Sequence, residues 1–297
     1  MLLQNNIYGV INDLENKKIN SYIIINLKLI IKREYLQMIP KIIHYCWFGN
    51  NELPQQQKDF IKQWKEICPD WEIKLWNENN FNISEHPFAA SAYSKQKYAF
   101  VSDYVRTWVL YKFGGVYLDT DIELKHSLNP FLNCEAFSCF ETKGIAFTSA
   151  VWGSIKEHSL TAKMLNYYNN NSFNIDHEPN TITITKILAM DYNINTLDNN
   201  NQIGQDAKNS IHIYASHYFC LDLPINYASH HFIGSWIDKS KTLNVKDYIH
   251  QNYYTDLILN KETVNKKVFL RKTAYILSFK SLIHIIRYYI KSKLIKF

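Results

Sequence analysis

Apolar and polar positions along the chain form runs that predict strands and helices in alternation. Residues 42–49 are almost continuously apolar and predict a buried first strand that ends in a glycine turn. Residues 59–67 are spaced as in a helix, and residues 71–76 alternate as in a second strand. A strand, a helix and a strand in succession favour a parallel sheet covered by helices, which is an α/β fold class.

The longest predicted helix runs from Ser94 to Phe113. It is apolar on nearly every side, which is typical of a buried helix, and Gly114-Gly115 follow it as glycine follows helix C-termini. The remaining elements are predicted as a strand that runs into a loop over 116–124, short strands and turns over 127–155, helices over 159–168 and 181–190, a polar, weakly structured insertion over 192–209, and a strand over 211–223.

Two charged residues interrupt the apolar surface of the long helix. At about 100° per residue, Asp103 and Arg106 fall on one stripe with Ala99, Leu110 and Phe113. Burying two ions costs several kcal/mol each before they pair, so fold stability alone is a poor reason for them. They are either an ion pair on a half-exposed face or a polar pair that lines a ligand cleft, and we favour the second interpretation.

The strand over 116–124 contains the acidic motif Asp119-Thr120-Asp121. On an extended backbone the two carboxylates would point the same way, about 6.5 Å apart. Such a pair is a site of hard oxygen ligands, which suits Mg²⁺ or Mn²⁺. The spacing is common in solvated turns, but here it follows a buried strand, and ligands bind at the carboxyl ends of strands in open α/β sheets.

Composition sets the broad class. The 297 residues include 46% hydrophobic and 20% charged residues, as in ordinary globular proteins. Five cysteines without a metal-binding spacing favour a reducing, cytoplasmic location. Residues 1–37 differ in pattern from the rest of the chain, so we expect a dispensable or non-native extension and a natural start at Met38, with the main domain over 38–262.

Charge is concentrated at the C-terminal end. The net charge is +6, yet residues 263–297 contain nine of the 33 basic residues and no acidic residue, which leaves 24 basic against 27 acidic residues elsewhere. Large apolar residues lie between the basic ones, as in helices that rest on anionic membranes. The segment is therefore either peripheral to the inner face of the cell membrane or a final helix packed on the domain. Nucleic acid is a third partner, which the acidic body disfavours.

Four blocks of sequence carry a resemblance to a known family. They are residues 39–49, Trp76-Asn77-Glu78, residues 97–106 and residues 114–121. Together they resemble the DXD-containing glycosyltransferase family 32, which includes yeast initiating α-1,6-mannosyltransferase and many capsular polysaccharide transferases. The chain is more distantly similar to the glucosylating clostridial toxins. The resemblance covers residues 39 to about 145. It implies a GT-A, Rossmann-like fold with added helices, a nucleotide-sugar donor, Mn²⁺ or Mg²⁺, and retention of anomeric configuration.

The resemblance also implies roles for particular residues. Asp121 would bind the metal directly, and Asp119 would reach it through water or contact the donor ribose. The other residues expected at the donor are Asp103 and Arg106 on its sugar and diphosphate, Tyr117 in the same block, and Trp47 stacked on the base. A core position is nearly as good an interpretation of Trp47.

Two more expectations come from the block 230–236. It resembles late His-x-x-Gly and Ser-Trp elements, in which a His completes the metal site and a Trp covers the donor. We expect His231 rather than His230 to be the ligand, because it lies three residues before Gly234, and Trp236 to be the covering residue. The block Glu178-Pro179-Asn180-Thr181 lies where the family often has Gly-Pro before a Thr-containing helix, but the missing glycine leaves the roles of Asn180 and Thr181 open.

The function predicted from these features is a metal-dependent retaining hexosyltransferase. It would move a hexose from a nucleotide-sugar, with UDP-hexose favoured over GDP-mannose, to a glycan or lipid-linked acceptor in surface polysaccharide synthesis. The metal and Arg106 would stabilise charge on the leaving diphosphate. The alternatives are a haloacid-dehalogenase-like phosphatase, which also places Asp-x-Asp after an apolar strand, and a non-catalytic membrane-surface protein.

Overall fold

The computed structural model describes residues 38–174, 178–222, 226–233 and 278–294. The predicted extension over 1–37 lies outside these residues. The strands are β1 Ile42–Cys46, β2 Glu72–Trp76, β3 Gly115–Leu118, β4 Ile122–Leu124, β5 Ala136–Cys139, β6 Val151–Ser154, β7 Gln202–Gln205, β8 Ser210–Tyr214 and β9 Ala228–His230. The helices are α1 Gln55–Ile67, α2 Pro87–Ser94, α3 Tyr98–Phe113, α4 Ser159–Asn170, α5 Asn180–Asp191 and α6 Phe279–Leu294.

Within the described residues, seven strands form one sheet in the order β2-β1-β3-β6-β5-β8-β7. The pairs β2-β1, β1-β3 and β5-β8 are parallel, whereas β6 and β7 are antiparallel to their neighbours. Five strands therefore end at the same edge of the sheet. The predicted α/β fold class is confirmed.

The predicted β-α-β start is confirmed. Strands β1 and β2 pair in parallel over all five residues, and the intervening helix α1 ends at Ile67 as predicted. The helix begins four residues earlier than predicted, directly after Pro54. Proline is tolerated at the start of a helix because no helical hydrogen bond needs its missing N–H there. The three glutamines that follow have good helix propensity, so they extend the helix at its N-terminal end.

The long helix predicted over 94–113 is α3, which begins four residues later than predicted, at Tyr98. Helix α2 ends at Ser94, and Gln96 then adopts a left-handed backbone with a φ of 56° before α3 begins at Tyr98. The predicted start was wrong because the apolar pattern gives no sign of a left-handed backbone conformation at Gln96. The predicted end at Phe113 is confirmed, since Gly114 has a φ of 66° that only glycine adopts easily.

The segment predicted over 116–124 as a strand that runs into a loop leaves the extended conformation at the acidic motif. Strand β3 ends at Leu118, and the amide of Ile122 donates to the Asp119 carbonyl at 3.1 Å. The motif is thus a tight turn rather than an extended strand end, so the spacing expected for an extended backbone does not apply. After the turn, β4 pairs with β9 in a separate two-stranded sheet.

Two more predictions were wrong in detail. The insertion over 192–209 contains β7, whose polar composition fits its position at the edge of the sheet. Strand β8 ends at Tyr214, earlier than predicted, because a 3₁₀ turn over Ser216–Tyr218 follows it. The helices predicted over 159–168 and 181–190 are confirmed as α4 and α5, each slightly longer.

Helix α3 and strand β3 are both buried in the apolar core. Val105, Val109 and Leu110 of α3 are fully buried, as are Val116 and Leu118 of β3. The carboxyl ends of β1 and β3 lie side by side, because these strands pair in parallel. This packing fixes the position of the polar residues that α3 and β3 carry.

Candidate metal and donor site

Polar side chains from three elements meet at the edge where β3 ends. Asp119 and Asp121 lie in the turn after β3, and Asp103 and Arg106 lie on the face of α3 that packs toward it. His230 ends β9 and is paired opposite Ile122 of β4. The structure therefore brings the helix pair and the acidic motif together, as the interpretation of a ligand cleft requires.

Arg106 connects the helix to the acidic turn. Its Nη2 atom lies 3.1 Å from Asp103 Oδ1 and 3.1 Å from Asp119 Oδ1, and its Nη1 atom donates to the Ser149 carbonyl at 2.6 Å. The guanidinium also lies over the Tyr117 ring, 4.6 Å from its centroid. One buried cation thus holds two carboxylates in fixed positions.

Asp103 and Arg106 of α3 show features of both interpretations that the sequence left open. Asp103 and Arg106 do form an i,i+3 ion pair, but the pair is buried and a third ion, Asp119, joins it. The Arg106 side chain is 5% exposed, while Asp103 is 16% and Asp119 is 27% exposed. The guanidinium donors of Arg106 point to the two carboxylates and the Ser149 carbonyl, and its contact with a donor diphosphate stays a prediction.

Burial and neighbouring charges shift the pKa values of the acidic groups at this site. Burial raises the pKa of Asp103 to about 6, against the opposing effect of Arg106. Burial also raises the pKa of Asp119, and Asp121 adds to this rise while Arg106 opposes it. Both carboxylates are therefore costly to ionise, and a nearby cation would stabilise their charged forms.

Asp121 is paired with a histidine. Its Oδ1 atom lies 3.4 Å from His230 Nε2, and its Oδ2 atom accepts the backbone amide of Ile233 at 2.9 Å. Burial alone would raise the pKa of Asp121, but His230 and this hydrogen bond lower it. In return Asp121 raises the pKa of His230 against the effect of burial.

The structure places His230 beside the aspartates, rather than the expected ligand His231. His231 Nε2 contacts Glu123 Oε2 at 2.9 Å, and its ring packs on Phe60, whereas His230 faces Asp121. His230 is the last residue of β9 and His231 follows it, and their side chains point in different directions, so only His230 faces the aspartates. Counting back from Gly234 does not reveal which one.

The structure gives Tyr117 a supporting position rather than an open surface for the donor. Its side chain is 1% exposed, and its hydroxyl donates to Asp119 Oδ1 at 3.1 Å. Trp47 lies just past β1, at the edge where the acidic turn follows β3. Its indole N–H donates to the Asn51 carbonyl at 2.7 Å, and its stacking on a base stays a prediction. Trp236 lies outside the described residues.

Asn180 is a site residue whose role the sequence left open. It is the first residue of α5, it is almost fully buried, and its Nδ2 atom donates to Asp103 Oδ1 at 2.9 Å. Asp103 is thus held by a cation and an amide from different helices. The resemblance marked the position, but nothing local indicates a partner 77 residues away in sequence. Thr181 lies in the same turn and shows no such contact with the residues that the structure describes.

The donor set fits a divalent cation. One atom each from Asp119, Asp121 and His230 lies within 4.8 Å of the other two. Carboxylate oxygens with one imidazole suit Mn²⁺ and related ions, and ligand atoms on one ion lie about 3 Å apart. The 3.4 Å between His230 and Asp121 is close to that value. When bound, the cation would be held by these three side chains.

Comparison with known proteins finds proteins with similar sequences. The chain is 31% identical over 131 residues to inositol phosphoceramide mannosyltransferase 3 of Schizosaccharomyces pombe, covering 43% of this chain and 36% of that protein. It is 29% identical over 133 residues to mannosyl phosphorylinositol ceramide synthase SUR1 of Saccharomyces cerevisiae, covering 43% and 34%. The chain therefore spans about a third of the length of these relatives.

Among solved structures, the chain is similar to PaToxG glycosyltransferase, with 16% identity, coverage of 52% of this chain and 70% of that one, and a TM-score of 0.42. Galactosyltransferase LgtC, with donor and acceptor sugar analogs, shows 12% identity, 72% and 95% coverage, and a TM-score of 0.39. Residues 54–138, which include Asp103, Arg106, Asp119 and Asp121, match the family described as glycosyltransferase sugar-binding region containing DXD motif.

Proposed function

We propose that this protein is a metal-dependent hexosyltransferase with a nucleotide-sugar donor. The observation that carries the proposal is the cluster of Asp119, Asp121 and His230, with ligand atoms within 4.8 Å of one another at the carboxyl edge of the sheet. The family match over residues 54–138 supports it independently, because that match contains both aspartates.

Each side chain has a task that its surroundings support. Asp121 and His230 are paired, partly exposed and able to share one cation. Arg106 neutralises and orients Asp103 and Asp119, whose remaining oxygen atoms can accept hydrogen bonds from hydroxyl groups of the donor sugar or ribose. Asn180 fixes the same carboxylate of Asp103 from a second helix.

The catalysis that we propose is electrostatic. A bound divalent cation would stabilise charge on the leaving diphosphate. The protein supplies preorganised carboxylates, and the buried Arg106 removes the repulsion that two bare carboxylates would exert on an anionic donor. Attack by the acceptor hydroxyl on the face that the diphosphate leaves would retain the anomeric configuration, and we assign no enzyme nucleophile.

The relatives bear on the donor and the acceptor. Their names describe mannosyltransferases that act on inositol phosphoceramide, a lipid. We therefore include GDP-mannose beside the UDP-hexoses as a candidate donor and place a lipid-linked acceptor beside a glycan acceptor. A role in surface polysaccharide synthesis is part of the same proposal.

The experiment is a thermal-shift panel of UDP-glucose, UDP-galactose, UDP-N-acetylglucosamine and GDP-mannose, each with Mn²⁺ or with EDTA. A ligand present at 100 times its Kd stabilises the fold by about 2.7 kcal/mol. For a domain of this size that raises Tm by roughly 5–10 °C. Asp121→Asn and His230→Gln should abolish the part that needs Mn²⁺, whereas the matched control His231→Gln should keep it.

Two results would overturn the proposal. The first is a panel in which no nucleotide-sugar shifts Tm more with Mn²⁺ than with EDTA. The second is hydrolysis of p-nitrophenyl phosphate that survives Asp121→Asn, which would instead favour the phosphatase alternative.

A further inference from the structure

Helix α6, Phe279–Leu294, presents an exposed apolar stripe. Four of its large apolar side chains are well exposed: Phe279 at 78%, Leu282 at 44%, Ile286 at 48% and Ile290 at 50%. At about 100° per residue they fall within an arc of roughly 80°. A stripe of this kind on a soluble domain is normally buried, so its exposure indicates a surface that binds something apolar.

The charges of the same helix are all of one sign. Its 16 residues include four basic residues and no acidic residue. Lys280 and Arg287 are both exposed and lie together about 80–100° from Phe279, beside the apolar stripe. The segment 263–297 that contains the helix has no Asp or Glu at all. The partner must therefore be apolar over one strip and anionic next to it.

An anionic lipid bilayer has both properties. Its acyl boundary accepts apolar side chains, and its headgroups attract adjacent lysine and arginine side chains. Duplex nucleic acid offers the negative charge but no continuous apolar surface, and the bases of a single strand stack on aromatic rings, of which the stripe has one among three aliphatic side chains. In the part of the chain that the structure describes, no helix is long and apolar enough to span a membrane.

We propose that α6 lies in the interface of an anionic membrane, parallel to its surface, with the stripe of Phe279, Leu282, Ile286 and Ile290 turned toward the acyl chains. Lys280 and Arg287 contact the lipid phosphates. The helix is about 24 Å long, which is ample for such an anchor. This inference does not depend on the proposed transferase activity.

The test is co-sedimentation of the full chain with vesicles of phosphatidylcholine alone and with 30% phosphatidylglycerol. We expect binding to the anionic vesicles that weakens in high salt. The double variant Ile286→Glu/Ile290→Glu should bind at least tenfold more weakly, because two apolar anchors are lost. Lys280→Gln/Arg287→Gln should lose about 30-fold, at roughly 1 kcal/mol for each basic residue.

The matched control is Ile203→Glu, which makes the same change at an isoleucine that is 68% exposed on the edge strand β7. It should bind vesicles as the unchanged protein does. A tryptophan placed by Phe279→Trp should be quenched by brominated lipids, which reports insertion of the stripe itself. Unchanged binding of the double isoleucine variant, or absence of quenching with bound vesicles, would overturn the proposal. Loss of binding in Ile203→Glu equal to that in the helix variant would do so too.

Discussion

Arg106→Met removes a buried cation while it keeps most of the side-chain volume. In the structure this guanidinium contacts two carboxylates at 3.1 Å and one carbonyl at 2.6 Å, and its side chain is 5% exposed. Breaking a buried ion pair by removal of one partner costs about 3–5 kcal/mol, because an uncompensated charge stays behind. We expect a loss of that size in the free energy of unfolding at pH 7.

The loss should also depend on pH, because Arg106 acts on two titratable carboxyl groups. Arg106 lowers the pKa values of Asp103 and Asp119, so both rise further in the variant. The native variant then binds more protons than the native parent protein above about pH 6, while the unfolded chains differ little. Stability therefore falls more steeply with rising pH in the variant, by about 1.4 kcal/mol per pH unit for each extra proton.

The assay is urea unfolding at pH 6, 7 and 8 in EDTA, with the free energy extrapolated to zero denaturant. The control is Lys186→Met, which breaks the exposed pair with Glu178 at 2.8 Å and should cost less than about 1 kcal/mol at every pH. Adding Asp119→Asn to Arg106→Met should recover part of the loss. A deficit below 1 kcal/mol, or one that is equal at pH 6 and pH 8, would refute the reasoning.

Three further substitutions test other contacts by the same unfolding assay. Asn180→Ala leaves Asp103 without its amide partner and should cost about 1–3 kcal/mol; a loss below 0.5 kcal/mol would contradict this. Gly153→Ala would place a Cβ atom 2.1 Å from the Phe137 ring, so we expect overpacking to lower the free energy of unfolding by about 1–3 kcal/mol. An unchanged free energy of unfolding would show that the strand shifts freely. Hydrogen bonds lower the pKa of Asp206 to about 2 despite burial, so Asp206→Asn should cost about 2 kcal/mol at pH 7. That deficit should shrink as the pH falls below 4, and a constant deficit would argue against the shift.

Local pattern predicted the elements whose signals are local. The apolar run before Gly49 and the alternation up to Trp76 gave the parallel start of the sheet, because burial and period suffice to define such strands. The glycine pair at 114–115 located the end of α3 for an equally local reason. A left-handed Gln96 and a turn at Asp119 have no comparable signature, and both elements there were predicted too long.

The candidate site divides in the same way. The sequence by itself determined that Asp103 and Arg106 share a helix face, since that follows from 3.6 residues per turn. Only the tertiary structure decided that Asp119 shares the same guanidinium, that Asn180 holds Asp103, and that His230 faces Asp121. Those contacts join residues that are far apart in the chain. Their geometry depends on how helices and strands pack and on which side of β9 faces inward, and neither is encoded in the spacing of neighbouring residues.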